Sequence, residues 1–318
     1  MDSSSPLVIA YGAGVDSTAL LIGLKDRGIR PDLILFADTG DEKAETYAFI
    51  PVMNRWLESA GFPTVTTVRY RPTNFKHWPP YETLAENCLT NGTLPSLAFG
   101  FKSCSLKWKV DPQNKFCNDW APARATWNAG DKVRKMIGYD SSPKDRKRFA
   151  HAIGMEDPKY DYSYPLIEWN WNREACKRRI HEAGLPVPPK SACVFCPATQ
   201  PAELHQHRKE YLRKIVILEA RAEPRLRKVK GLWRKDTKGM RGAEPRPGKM
   251  TDYIRANDLL PAAEIDRLIT SAPAEIISNQ KAFANGLEIP SWHDFLESFS
   301  PEDLDDEPEL IQLSRAAA

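Results

Sequence analysis

Tyr11-Gly12-Ala13-Gly14-Val15-Asp16-Ser17-Thr18 places two glycines, an acid and two hydroxyls within eight residues. Glycine lets a backbone approach oxygen atoms closely. A helix that begins directly afterwards points its free N–H groups, and the positive end of its dipole, at the same spot. With the hydroxyls of Ser17 and Thr18 as further donors, the stretch suits a bound phosphate. An ordinary strand-to-helix turn uses similar residues, so the loop alone leaves both readings open. No lysine precedes Ser17, and Ser17 stands where a GxGxxG fingerprint has its third glycine, so neither of those two phosphate motifs applies. The second chemical pattern is Cys193-Val194-Phe195-Cys196. Two thiolates at that spacing reach one metal ion from a tight turn, or form a redox dithiol. His205 and His207, two apart on an expected charged helix, point to different faces and read as solvated.

These residues need elements to hold them. Leu7–Tyr11 is a short apolar, partly β-branched run, the pattern of a buried strand. Residues 17–25 read as a helix with Leu20, Leu21 and Leu24 on one face, capped by Asp16 or Ser17. Further strands are expected at 33–37, 65–68 and 133–137, and helices at about 43–60, 81–89 and 172–183. Strands alternating with helices predict an α/β fold with a doubly wound, mostly parallel sheet. Ligands of such sheets bind beyond the carboxyl ends of the strands. The polar loops at 12–17, 38–41 and 138–148 all follow strands and converge there. After residue 200 the pattern changes to a charged helix over 203–222, an irregular stretch over 230–250, and helix over 251–270 broken at Pro261. The chain divides on this basis into residues 1–200, the alternating part that carries the glycine loop and the cysteine pair, and 201–318, a helical basic extension with an acidic tail.

With 318 residues, 42% of them hydrophobic, there is material for a substantial core. No run of about 18 uncharged apolar residues exists, and the N-terminus lacks the pattern of a secretory signal, so a cytoplasmic protein without a membrane partner is expected. In that compartment six cysteines point to metal or redox chemistry rather than disulfides. The net charge is +3, but residues 221–249 carry eleven cations against three acids, whereas residues 301–310 carry six acids and no cation. The basic segment suits a polyanion such as DNA or RNA, with Trp233 placed to stack a base. The acidic stretch reads as a solvated end, or as a cover for the basic face.

Several segments together resemble the PP-loop ATP pyrophosphatases, in particular their phosphoadenosine-phosphosulfate reductase-like branch. Gly12-Ala13-Gly14-Val15-Asp16-Ser17 is similar to that superfamily's SGGxDS loop. Leu35-Phe36-Ala37-Asp38-Thr39-Gly40 resembles the branch's F-x-D/N-T-G. Cys104 through Pro112 resembles its C-x-x-x-x-K-V/I-x-P. Ile137-Gly138-Tyr139-Asp140 through Arg148 is similar to I-G-x-R-x-x-E/D-S-x-x-R, and Tyr164-Pro165-Leu166 to Y-P-L. The resemblance spans residues 7–200 and keeps the family's order. Three departures stand out. Gly12 replaces the loop's first serine and Ala13 its first glycine. Asp140 stands near a family arginine. No cysteine follows Cys196, so thiol-dependent sulfonucleotide reduction lacks its nucleophile.

The resemblance implies a PP-loop (HUP-like) fold that binds ATP with Mg²⁺ and cleaves it at the α-phosphate. It places the nucleotide on Tyr11, Gly12, Ala13, Gly14, Asp16, Ser17, Thr18, Phe36, Asp38 and Gly138. Asp16 orients the loop or helps hold Mg²⁺, and Asp38 binds the nucleotide or orients the metal. Lys107, Lys109 and Arg148 counter charge on the reacting phosphates. Cluster-bearing relatives, among them DNA phosphorothioation sulfurtransferases, imply a 4Fe–4S cluster on Cys104, Cys176, Cys193 and Cys196, with Zn²⁺ as the other occupant. The implied activity is activation of a substrate, a nucleic acid in the leading reading, for insertion of sulfur from a donor protein. A phosphosulfate reductase-like enzyme and a non-catalytic nucleotide-sensing subunit remain the alternatives.

Overall fold

Alternating apolar side chains build the centre of the molecule. A computed structural model describes residues 5–239, 244–272, 275–289 and 292. Leu7, Ile9 and Tyr11 of strand β1 (Leu7–Tyr11) join Ile34 and Phe36 of β2 (Leu33–Asp38) in one buried cluster. The residues between them, Val8, Leu33, Leu35 and Ala37, are buried in a second cluster on the opposite face. A strand that is apolar on both faces must be covered on both. β3 (Val65–Arg69), β4 (Val133–Ile137) and β5 (Tyr160–Ser163) complete one sheet in the order β3-β2-β1-β4-β5, every pair parallel. The strands expected at 7–11 and 133–137 form over those same residues.

The helices are, in chain order, α1 (Val15–Asp26), α2 (Ala44–Ser59), α3 (Leu84–Asn91), α4 (Asp111–Asp119), α5 (Ala121–Asn128), α6 (Pro143–Ala152), α7 (Arg173–Glu182), α8 (Lys209–Ala222), α9 (Met250–Ala256) and α10 (Ala262–Ser271). Leu20 of α1, Phe49 of α2 and Ile180 of α7 cover one face of the sheet. Cys117 of α4 and Ala123 of α5 cover the other. The fold is therefore α/β and doubly wound, as the alternation predicts.

The helices after residue 200 have no separate core. Leu212, Ile215, Ile254 and Leu268 pack in one cluster with Leu84, Cys88, Leu89, Trp108, Val194 and Phe195. The charged helix expected over 203–222 is broken: Pro201–Leu204 forms one short turn and α8 starts at Lys209. His207 falls in the break and is buried, which corrects the expectation that it is solvated. Its Nε2–H donates to Val194 O across 3.2 Å, and burial pulls its pKa down to about 4, so the ring stays neutral.

The basic stretch is irregular but tied down. Glu219, on α8, is buried, and its carboxylate accepts from Leu232 N (2.7 Å), Met250 N (3.0 Å), Thr251 N (2.8 Å) and Thr251 Oγ1 (2.6 Å). Lys230 pairs with Asp236, Lys249 with Glu223, and Thr237 bridges Arg246. The carboxylate thus replaces regular secondary structure as the partner of three buried backbone N–H groups. Glu219→Ala leaves those donors unpaired at about 1–3 kcal/mol each. We expect a loss of about 3 kcal/mol or more in urea denaturation, together with faster proteolysis within 226–249.

Candidate functional site

The strand order reverses at β1: β2 and β3 lie to one side, β4 and β5 to the other. Crevices at such reversals are where doubly wound sheets bind ligands. Here the loops leaving β1 and β4 enclose a cavity of about 460 Å³.

Its floor is the glycine loop. Ser17 Oγ sits inside the turn, accepting from Gly12 N–H (3.2 Å) and Gly14 N–H (3.4 Å) and donating to Gly14 O (3.2 Å). Gly14 occupies the N-cap of α1 and has no side chain with which to cap it. The helix end therefore faces the cavity with donors of its own. Ala13 is held at φ +53°, a left-handed conformation that costs a non-glycine residue about 1–2 kcal/mol, so this loop keeps the backbone shape of a glycine there without the glycine. Gly138, at the end of β4, lies against the backbone of α1: a Cβ on it would stand 3.0 Å from Ser17 N and 3.1 Å from Asp16 C. Ser191 closes over the loop from the other side, where a Cβ on Gly14 would meet its Oγ at 2.8 Å.

The walls are charged. The carboxylates of Asp16, Asp140 and Asp145 have oxygens within 4.8 Å of one another, the spacing a divalent ion needs. Arg173, first residue of α7, reaches both Asp16 (3.0 Å) and Asp140 (3.8 Å), and Arg148 pairs with Asp145 at 3.0 Å and lies over the Tyr139 ring. Lys144 and Lys190 complete the lining cations. Burial pushes the Asp16 carboxyl up to about 6, with Arg173 opposing and Asp140 and Asp145 adding. No spacing in the sequence marks Arg173, Asp145 or Lys190: the first sits at a helix start and the third three residues before the CxxC.

The structure divides the expected residues. Gly12, Gly14, Asp16, Ser17, Gly138 and Arg148 meet in the cavity. Tyr11, Ala13 and Phe36 are buried beneath it, and Thr18, fully buried, turns its hydroxyl to Tyr11 OH at 3.3 Å. Both oxygens of Asp38 are committed: Oδ1 to Gly40 N (2.8 Å) and Tyr47 OH (2.7 Å), Oδ2 to Arg69. Asp38 thereby shapes the exit loop of β2. Lys107 and Lys109 lie outside this larger cavity. Lys107 lines a second cavity of about 240 Å³, and Lys109 donates to Glu42 Oε1 at 2.7 Å.

That second region holds cysteines. Cys88 and Cys104 both line the smaller cavity. Cys193 and Cys196 close a turn, with Cys196 N–H donating to Cys193 O at 3.0 Å. Cys196 interacts electrostatically with Cys104, and Cys193 with Cys196 and Lys109. The turn is pinned to the β2 exit: Val194 N donates to Asp41 O (3.0 Å), and Cys193 Sγ lies 3.2 Å from Thr39 Oγ1 and 3.8 Å from Glu42 Oε1. Glu42 Oε2 is buried without a hydrogen-bond partner. Cys176 does not join this group. It packs in the α1–α7 core, where burial and then Asp16 push its thiol up to about 12. Of the expected set Cys104, Cys176, Cys193 and Cys196, Cys176 thus lies in a different core from Cys193, while Cys88 shares a cavity wall with Cys104. Among the described residues the one ligand group within 4.8 Å is the aspartate trio. Thiolates sharing one zinc at about 2.3 Å stand closer together than that limit, so among the described residues no three cysteines are set at zinc spacing.

Trp233 is also corrected as a base-stacking residue. It is buried, its indole N–H donates to Thr199 O at 2.8 Å, and Arg246 covers its ring. The acidic stretch 301–310 lies outside the described residues. Among the described residues no helix is long and apolar enough to cross a membrane. A scan against protein-family models and a search of curated proteins return no match for the chain.

Two outcomes are expected. A folded-state pKa of about 6 for Asp16, against about 3.9 when unfolded, favours the folded protein below pH 4; that contribution is lost as pH rises through 6. Asp16→Asn removes the loss, so the variant should gain up to about 3 kcal/mol over the parent between pH 4 and pH 8 in chemical denaturation. Gly138→Ala forces β4 away from α1 and should cost about 1–3 kcal/mol in the same assay.

Proposed function

We propose that the chain is an ATP-cleaving enzyme of the PP-loop type, similar to the phosphosulfate reductase-like branch, that adenylates a substrate so that sulfur can replace an oxygen. What carries this reading is one arrangement: an uncapped helix start and a glycine turn, at the reversal of strand order, opening into a cavity that holds both cations and a carboxylate trio.

The triphosphate lies along the α1 N-terminus, where its oxygens replace the Ser17 hydroxyl as acceptors for the N–H groups of the 12–17 loop, or share them with it. Arg148, Arg173 and Lys190 neutralise the β- and γ-phosphates, which leave as pyrophosphate. Asp16, Asp140 and Asp145 would hold Mg²⁺, which when bound supplies charge neutralisation at the phosphate oxygens. The acceptor's oxygen attacks the α-phosphorus, the bond to the bridging oxygen of the β-phosphate breaks, and the acceptor keeps AMP as a leaving group. A sulfur nucleophile then displaces AMP. Lys107 and Lys109 act outside the phosphate site, beside the cysteines. The thiols of Cys88, Cys104, Cys193 and Cys196 would hold an iron–sulfur cluster, which when bound supplies a site for sulfur or electrons. The acceptor is a nucleic acid, in keeping with the cations of the 221–249 segment.

Purified protein with Mg–ATP and acceptor should release AMP and pyrophosphate, separated by thin-layer chromatography. Asp16→Ala should lower turnover by at least tenfold, and Gly14→Val, which drives a side chain into Ser191, should abolish nucleotide binding. Binding of ATP with no cleavage under any acceptor would assign the chain to nucleotide sensing instead. For the cluster, anaerobic iron and sulfide analysis should find about four irons, lost in Cys88→Ser and kept in Cys176→Ser. The reverse pattern restores Cys176 as ligand.

A further inference from the structure

With Trp233 buried, the basic segment has no base-stacking residue of its own, yet an exposed aromatic lies beside it. Phe101 is 66% exposed. It sits in a tight turn fixed by one side chain: Ser96 Oγ accepts from Cys104 N (2.6 Å) and donates to Phe101 O (3.4 Å), while Ser96 O accepts from Phe101 N (3.1 Å). The ring is thus exposed but held. From Ser96 to Lys109 the chain has three lysines and no acid. The basic segment reaches the same turn: the Arg234 guanidinium packs on Gly100, 2.8 Å from where a Cβ would stand. Lys102, next to Phe101 in the chain, Arg234 and its neighbour Lys235 are exposed, as is Leu106. The smaller cavity, with Cys104 and Lys107 in its wall, opens beneath this turn.

We propose that the Phe101 turn and the 234–235 segment form the docking surface for a single-stranded nucleic acid, with one base stacked on Phe101 and the backbone on Lys102, Arg234 and Lys235. An exposed aromatic ring set among cations, with no acid on its own segment, matches the two needs of such a strand: a flat apolar face for a base and positive charge for phosphates. A paired duplex hides its base faces and does not use the ring. The placement brings the bound base next to the cysteine cavity, so this surface rests on the sulfur-insertion reading and names where its acceptor lies.

The test is fluorescence anisotropy of the full chain with labelled oligothymidylate, oligouridylate and a mixed-sequence duplex over a salt series. Both single strands should bind more tightly than the duplex; a difference between them reports whether DNA or RNA is the natural partner. Phe101→Ala should weaken single-strand binding by about tenfold, and Phe101→Trp should restore it. Lys102→Gln and Lys235→Gln should each lower the slope of log affinity against log salt by about 0.7. Polyglutamate of matched charge should compete poorly; equal competition would mean a purely charged surface and overturn the stacking. Phe101→Ala binding like the parent, or tighter duplex binding, overturns the proposal as well. ATP cleavage is followed separately on the same preparations. Phe101-dependent strand binding without ATP binding leaves this surface standing and removes the enzyme reading; ATP cleavage without strand binding does the opposite.

Discussion

The close approach of Gly138 to the backbone of Asp16 and Ser17 is the contact on which the site depends. β1 and β4 are hydrogen-bonded neighbours although more than 120 residues separate them. Their exit loops therefore meet, and a residue with a side chain at 138 would wedge them apart. The contact makes one cavity from two loops. It brings Asp140, Asp145 and Arg148 from the β4 side to Asp16 and Ser17 from the β1 side, and α7 then delivers Arg173 to Asp16 and Asp140. No element on its own carries more than a fragment of this arrangement.

A second set of contacts joins the larger cavity to the cysteines. Asp38 closes the β2 exit loop through Gly40 N and Tyr47 OH. That loop carries Thr39, Asp41 and Glu42, which receive Cys193 and Val194 as a short antiparallel bridge, while His207 holds Val194 O from behind. The residues just before the CxxC, Lys190 and Ser191, lie over the glycine loop. Movement of the 190–196 segment is thus felt at both cavities, through a chain of packed contacts rather than through sequence proximity.

The two central strands were legible in the sequence as short apolar runs covered on both faces, whereas the edge strand Tyr160–Ser163, polar at alternate positions, was not expected. The site was legible only where backbone chemistry marks it. Glycines and a helix start identify Gly12, Gly14 and Ser17, but the same stretch does not say that Thr18 turns inward to Tyr11, because a helix residue's facing depends on what packs against it. Cys88 and Cys176 illustrate the limit. Both lie on helices among apolar neighbours, and nothing local separates them. One faces the turn carrying Cys104, the other faces α1, and only tertiary packing decides between them. Trp233 misled for a related reason: it lies inside a basic run, yet Glu219 folds that run back on itself and takes the ring inside. A buried carboxylate one element away left no mark in the segment it organises.

The charge balance of the larger cavity constrains what can occupy it. Asp16, Asp140 and Asp145 crowd three carboxylates together, and burial, with Asp140 and Asp145 adding, pushes the Asp16 carboxyl up to about 6 despite Arg173 beside it. A simple anion would add to that repulsion. A bare cation would satisfy the acids but leave Lys144 unanswered, with Arg148 held by Asp145 and Lys190 by Glu203. A ligand that carries a metal ion on one side and several phosphate oxygens on the other satisfies both sets at once, and it releases Arg173 from the acids to face the phosphates. The glycine turn, with N–H groups already converging on the Ser17 hydroxyl, supplies the remaining donors once phosphate oxygens take that hydroxyl's place. That match of mixed walls to a metal-bound polyphosphate, more than any single residue, is the physical ground for reading the cavity as a nucleotide site.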